Sequence, residues 1–273
     1  MKTRRLLVGF CATALLGTFV HGAQAPSQRV PDADSATGAA GEDVPDADIP
    51  TYANFRGQTI LNNDRLVVQR FVIPAGQWVG RHTANGNQLR VQMNDGVWQQ
   101  HDDPTKLLKQ TAGTVGWVDQ AESDDGEINA GMTPIEVLWV TLKPHTASAE
   151  EIAKMKNYRL VYPNIPGLVL IENDQVVVQR FVVWPGEWEG PHYHPGNQLY
   201  IHIHKEGAIW DVLQAGKDSN SERAGRVPRV PRAVSLAESF GIGMEPAIPP
   251  SEYHQSGNVG TAPFDLMWVT LKR

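Results

Sequence analysis

The apolar residues of this chain come mostly in short runs with a period of two. Leu199, Ile201 and Ile203 alternate with Gln198, Tyr200, His202 and His204. On an extended strand this puts an apolar row on one face and a polar row on the other. Leu66 to Ile73 and Val176 to Val183 are rich in β-branched residues, and each ends in a turn signal, Pro-Ala-Gly after the first and Trp-Pro-Gly after the second. Many short strands punctuated by Gly and Pro predict an all-β fold of small closed barrels or jelly rolls. One helix is expected. Ser148-Ala-Glu-Glu151 is a capping-box pattern that opens a short helix to about Lys156.

The strand patterns occur twice. Residues 63–93 align without gaps on 173–203 at an offset of 110, with 16 of 31 positions identical. NDRLVVQRFV answers NDQVVVQRFV, and GNQLRVQM answers GNQLYIHI. A second block, 125–143, aligns with 254–272 at an offset of 129, EVLWVTLK against DLMWVTLK. The difference in offset is a net insertion of 19 residues in the second copy. A duplicated domain is therefore expected, with a first copy over about 51–147, a second over about 148–273, and the short helix linking them.

The N-terminal segment reads differently. Lys2, Arg4 and Arg5 precede a short apolar run from Leu6 to Val20, and Ala23-Gln24-Ala25 has the small-x-small pattern of a signal-peptidase site. The run is short for a membrane span, so residues 1–25 are expected to be a cleaved export signal. The Sec route is favoured, although Thr3-Arg4-Arg5 before Leu6-Leu7 also fits a twin-arginine signal. Residues 26–50 are rich in Pro, Asp, Ala, Ser and Gly, with VPDAD written twice, and too poor in apolar residues to fold, so a disordered linker is expected. The expectation is a periplasmic or secreted protein with no stable membrane insertion after cleavage; a homodimer is an open option. The net charge of −6, without a dense Lys/Arg run, argues against nucleic acid as a partner. The one cysteine, Cys11, lies in the export signal. A metal site in the remaining chain would have to use imidazole, carboxylate or amide groups.

Such a site is suggested in the second copy. His192 and His194 are two residues apart, so on a strand both reach one ion, and Pro191 and Pro195 bracket them. Gln198 follows, and Gly243, Pro249, His254 and Asn258 form a second block downstream. Three imidazoles plus an amide oxygen suit Fe, Mn, Ni, Cu or Zn. In the first copy the matching positions hold His82, Ala84, Gln88 and Asp125. Two of the three imidazoles are gone, and that copy is expected to be kept for structure.

These residues resemble the cupin superfamily. Its first motif is Gly, five residues, His-x-His, three or four residues, Glu, then Gly. Its second is Gly, five residues, Pro-x-Gly, two residues, His, three residues, Asn. Gly186, His192, His194, Gly243, Pro249, His254 and Asn258 fall on those positions. The departures are Gln198 for Glu, Ser251 for Gly, and Gly207 two residues late. The resemblance covers essentially the whole chain after the linker and implies two tandem cupin barrels, a bicupin, with one divalent transition metal in the C-terminal barrel, held by His192, His194 and His254. Gln198 has two readings, an amide ligand replacing the carboxylate or a structural residue after the Gly-Asn turn.

The expected function is a metal-dependent oxidoreductase of dioxygenase type, using Fe(II) on a small anionic organic substrate. Mn, Ni, Cu and Zn stay open as the metal. The alternatives are a non-catalytic periplasmic binding or sensing protein and a cupin isomerase or decarboxylase, since one fold hosts many activities. Tyr200 and His202, on the strand face of Gln198, are the candidate catalytic residues; both also fit as barrel lining. Arg223, Arg226, Arg229 and Arg232 lie in the insertion and read as a solvated loop or as a charged lid.

Overall fold

The computed structural model describes residues 52–84, 86–120, 123–124, 126–154, 158–204, 206–208, 210–214, 242–245 and 254–272. The expected export signal, the linker, Asp125, the insertion arginines and Pro249 lie outside the described residues. All described residues belong to one compact unit, Gly41–Arg273.

The first repeat runs β1 (Gln58–Asn62), β2 (Leu66–Ile73), β3 (His82–Thr83), β4 (Gln88–Gln92), β5 (Gly96–Gln100), β6 (Leu107–Gln110), β7 (Val115–Val118), β8 (Ser123–Asp124), β9 (Glu127–Asn129) and β10 (Ile135–Leu142). The helix α1 (Ala149–Lys154) follows. Its capping box is formed in both directions: Glu151 N donates to Ser148 Oγ at 3.2 Å, and Ser148 N donates to Glu151 Oε2 at 2.7 Å. The second repeat runs β11 (Leu168–Glu172), β12 (Val176–Val183), β13 (Gln198–His204), β14 (Trp210–Gln214), β15 (Ile242–Glu245), β16 (His254–Asn258) and β17 (Phe264–Leu271).

The two repeats have one topology. Each has a five-stranded antiparallel sheet, β1-β2-β10-β4-β7 in the first and β11-β12-β17-β13-β15 in the second. The same arginine-carboxylate clamp crosses the central pair of each. Arg70 donates from Nε and Nη2 to Glu136, both at 2.7 Å, and Arg180 makes the equivalent pair to Asp265 at 2.9 and 2.6 Å. The smaller sheets are β6-β5-β9 and β3-β8 in the first repeat and β14-β16 in the second. The duplication extends further upstream than the sequence blocks. Tyr52 and Tyr162, also 110 apart, are both buried in their repeats.

Strand alternation sorts the side chains into three groups. One row from each large sheet meets in a single apolar cluster: Val68, Leu89, Leu138 and Val140 from the first repeat, Val178, Leu199, Ile201 and Val269 from the second. The opposite rows line the two interiors. Phe71, Val79, Trp98, Val137 and Trp139 fill the first, and Tyr162, Phe181, Phe264, Leu266 and Trp268 line the second. The repeats are thus fused by a shared core, with a separate interior on each side. Burying a Val, Leu, Ile or Phe side chain is worth about 1.5–3 kcal/mol.

Candidate metal centre

The second interior is built by the segment between β12 and β13. After β12 the chain turns at Trp184–Glu187, where Glu187 N donates to Trp184 O at 3.0 Å. It then runs alongside β16: Gly186 N donates to Asn258 O at 2.7 Å, Asn258 N to Glu187 O at 3.0 Å, and Glu189 N to Ser256 O at 2.8 Å. The approach is close enough that a Cβ on Gly257 would meet Glu187 O at 2.6 Å. Asn258 fixes the far end, donating from Nδ2 to Val183 O at 2.9 Å and to Ala262 O at 2.7 Å. At Gly190 the backbone takes φ +79°, a left-handed conformation that favours glycine, and the chain enters the His192–His194 segment.

Both histidines are buried, with 3% and 5% of their surface exposed. His192 Nδ1 lies 2.9 Å from Gly190 O. A carbonyl can only accept, so Nδ1 carries the proton. His194 Nδ1 lies 2.7 Å from Gln198 Oε1, again an acceptor, so this ring too is protonated at Nδ1. In the neutral rings each Nε2 then presents a lone pair. The two Nε2 atoms face one another at 3.2 Å. Two lone pairs repel at that distance unless a cation or a proton lies between them. Two nitrogens each about 2.1 Å from one ion, at tetrahedral or octahedral angles, stand about 3.0–3.4 Å apart. The pair therefore has the spacing and the tautomers that a shared transition-metal ion requires.

Gln198, read from the sequence as either an amide ligand or a structural residue, is engaged by side chains at both ends of its amide. It is fully buried, its Oε1 accepts from His194 Nδ1, and its Nε2 donates to Thr270 Oγ1 at 2.9 Å. The amide stands behind His194, on the side away from the facing Nε2 atoms. Its contacts are with side chains rather than with the backbone of the Gly-Asn turn. His254 begins β16, where it pairs with Gln214; its side chain lies outside the described residues. Among the described residues no group of three or more His, Cys, Asp or Glu is placed so that it could hold a metal ion.

Glu189 is a residue the motif reading passed over. It is 0% exposed, and its Oε2 accepts from Ser256 Oγ and lies 3.7 Å from His192 Nε2. Burial pushes its carboxyl up to about 8, against the opposing pull of the Ser256 hydroxyl and, less, of the nearby Tyr162. The only signal in the sequence was the comparison of copies: Trp78-Val79-Gly80 in the first repeat is Trp188-Glu189-Gly190 in the second.

Aromatic rings wall the pair. Tyr162 meets His192 edge-on at 4.6 Å between ring centroids, Trp268 meets His194 at 4.9 Å, and Trp268 Nε1 donates to Tyr162 Oη at 2.9 Å. Tyr200 and His202 lie further along the inner face of β13. Their rings are 5.3 Å apart, with Tyr200 against Trp268 at 5.8 Å and His202 against Phe264 at 4.6 Å. Trp268 thus stands between Tyr200 and His194. His204 is exposed and pairs with Glu206 at 3.1 Å.

The first repeat keeps the walls and loses the centre. His82 still packs edge-on against Tyr52 at 5.2 Å and Trp139 at 5.5 Å. Ala84 and Val79 stand where His194 and Glu189 stand in the second. Gln88 still donates to Thr141 Oγ1 at 3.0 Å, but its buried Oε1 has no hydrogen-bond partner among the described residues. The imidazole that its counterpart serves is absent here. The rest of this interior is filled by an Arg90–Glu127 ion pair at 2.5 Å, with Arg90 lying 4.5 Å over the ring of Trp98.

No protein-family profile matches the chain, and no curated protein matches it. Solved structures match in architecture. The Cupin 2 conserved barrel domain protein from Leptotrichia buccalis is 13% identical; the match covers 82% of this chain and 96% of that one, with a TM-score of 0.43. AerE from Microcystis aeruginosa is 11% identical over 79% of this chain and 96% of its own, with a TM-score of 0.47. A salicylate 1,2-dioxygenase from Pseudaminobacter salicylatoxidans is 11% identical over 79% of this chain and 76% of its own, with a TM-score of 0.45. At these identities and TM-scores the likeness assigns neither a family nor an activity.

Proposed function

We propose that the second cupin-like repeat binds one divalent transition metal through His192, His194 and His254, and that the chain is an exported metal-dependent oxidoreductase of dioxygenase type acting on a small anionic organic substrate. One observation carries this reading: two buried imidazoles whose Nδ1 atoms are both engaged as donors, so that their Nε2 lone pairs converge at 3.2 Å. Fe(II) is the favoured ion, and when bound it supplies a redox-active Lewis acid with open positions. The chain's own residues do the rest. Gly190 O and Gln198 Oε1 hold the two rings in one tautomer and orientation. Tyr162, Phe181 and Trp268 make an apolar wall that keeps water from the buried rings. Tyr200 and His202 extend the same inner face and are proposed to meet the substrate beyond the wall.

The reading is tested on the purified full chain. Elemental analysis is expected to give about one ion per chain, by the count of intact ligand sets. Oxygen uptake is then screened with Fe(II) and small carboxylic acids, diketones and phenols. Uptake that disappears in His192→Ala supports the oxidoreductase reading. One tightly held ion with no oxygen consumed on any substrate favours the binding, isomerase or decarboxylase alternatives.

A further inference from the structure

We propose that Glu189 is a carboxylate ligand of this metal centre, supplied from three residues before His192 rather than from the position after His194. The proposal rests on the reading of His192 and His194 as ligands and goes beyond it. It starts from a comparison of the two interiors. Each repeat holds an acid near its interior, half-buried in the first and fully buried in the second. In the first it is Glu127 on β9, and Arg90 neutralises it at 2.5 Å. In the second repeat Ser256 stands at the position of Glu127, Tyr200 at that of Arg90, and the acid has moved across to Glu189. Among the described residues no Lys or Arg pairs with Glu189; its ionic neighbour is His192. Withdrawn this far from water, the group carries its charge only beside a positive partner. The arginine that serves in one copy has no counterpart in the other, where the imidazole of His192 stands 3.7 Å from the acid.

The geometry supports the same conclusion. The Glu189 backbone is fixed on both sides, its N donating to Ser256 O at 2.8 Å and its O accepting from Asn164 N at 3.0 Å. Gly190 beside it takes a left-handed φ of +79°, and a Cβ there would press on Pro163 and Asn164 at 3.1 and 3.0 Å. Only the side chain can move. Its Oε2 accepts from Ser256 Oγ and stands 3.7 Å from His192 Nε2, which is itself 3.2 Å from His194 Nε2. The other oxygen, Oε1, is buried and makes no hydrogen bond within the described residues. In this structure the carboxyl group stands beside the histidine pair with Ser256 on one oxygen and does not close on it; as a ligand it would turn toward the facing Nε2 atoms. The ligand set becomes imidazole nitrogens plus one carboxylate oxygen, a donor mix suited to Fe(II), Mn(II), Co(II) or Zn(II). It also lowers the net charge of a bound dication by one, which Gln198 alone could not do.

The test uses the full chain stripped with a chelator and titrated with Co(II), followed by its visible absorption and by calorimetry. Glu189→Gln keeps size and a hydrogen bond to Ser256 but removes the charge. Glu189→Val installs the residue that the first repeat carries at this position and guards against a misfolded Gln variant, with thermal melting recorded for both. We expect each variant to melt no lower than the parent chain, to bind Co(II) at least about tenfold more weakly, and to show an altered Co(II) spectrum. Unchanged affinity and spectrum in both variants, with binding lost in His192→Ala, would overturn the role of Glu189 and leave the histidine centre standing. Failure of the unmodified chain to bind Co(II) would overturn both.

Discussion

Both ends of the Gln198 amide are engaged, one by His194 Nδ1 and the other by Thr270 Oγ1. Its influence on a metal would therefore run through the ring it holds. An acceptor at Nδ1 fixes the tautomer and keeps Nε2 available, and loss of such a partner commonly costs about 10–100-fold in metal affinity. Gln198→Ala is expected to fall in that range in a competition titration, without abolishing binding. Gln88→Ala, at the matching position of the first repeat, should change nothing. Affinity unaltered by Gln198→Ala would show that His194 needs no support from the amide. The histidine pair was legible in the sequence because alternate positions on an extended chain share a face. The tautomer lock was not, since it depends on a glutamine oxygen and a glycine carbonyl that only the folded chain brings to the rings. Glu189 was legible only as a difference between copies, Val79 against Glu189, because a single acid in a Trp-x-Gly phrase has no spacing of its own.

At the scale of elements, each long strand serves two environments. β10 turns Val137 and Trp139 into the first interior and Leu138 and Val140 into the core shared with the second repeat. Leu138 is 1% exposed, so Leu138→Ala should leave a cavity and cost about 2–5 kcal/mol. Denaturant unfolding would measure it. Because Leu138 belongs to the cluster that also holds residues of β12, β13 and β17, the loss should appear in probes of both repeats and not in the first alone. The strands β2, β12 and β13 were readable from their β-branched runs and two-residue alternation. The helix was readable from its capping box, which the structure forms in both directions. The two-residue strands β3 and β8 were not, since two residues carry no period. Nor was the alternation by itself enough to say that both faces would be buried. That follows from the packing of the two repeats against each other through the apolar rows of their large sheets.

Across the whole molecule, the duplication separates fold from site. The first repeat keeps the sheet order, the arginine-carboxylate clamp and the aromatic wall, yet fills its interior with Trp98 and the Arg90–Glu127 pair. The first repeat thus shares its frame with the second, and the centre proposed for the second differs from the matching positions of the first by a few interior side chains, Val79 for Glu189 and Ala84 for His194. The shared core makes the two repeats thermodynamically dependent. A ligand that binds only the folded second repeat stabilises by RT ln(1 + [L]/Kd), about 2.7 kcal/mol at a hundredfold excess over Kd. If the cluster joining Leu138 and Val140 to Leu199 and Val269 couples the repeats as its packing implies, that energy stabilises the first repeat as well. Calorimetric melting with Zn(II) and with chelator is expected to give one transition in each case, at a higher temperature with the ion. His82→Ala should leave the ion-dependent shift intact, and His192→Ala should remove it. Two transitions, of which only one moves with metal, would mean that the shared core does not bind the repeats into one cooperative unit. A single transition that moves equally in the His192→Ala protein would place the ion somewhere other than the second interior.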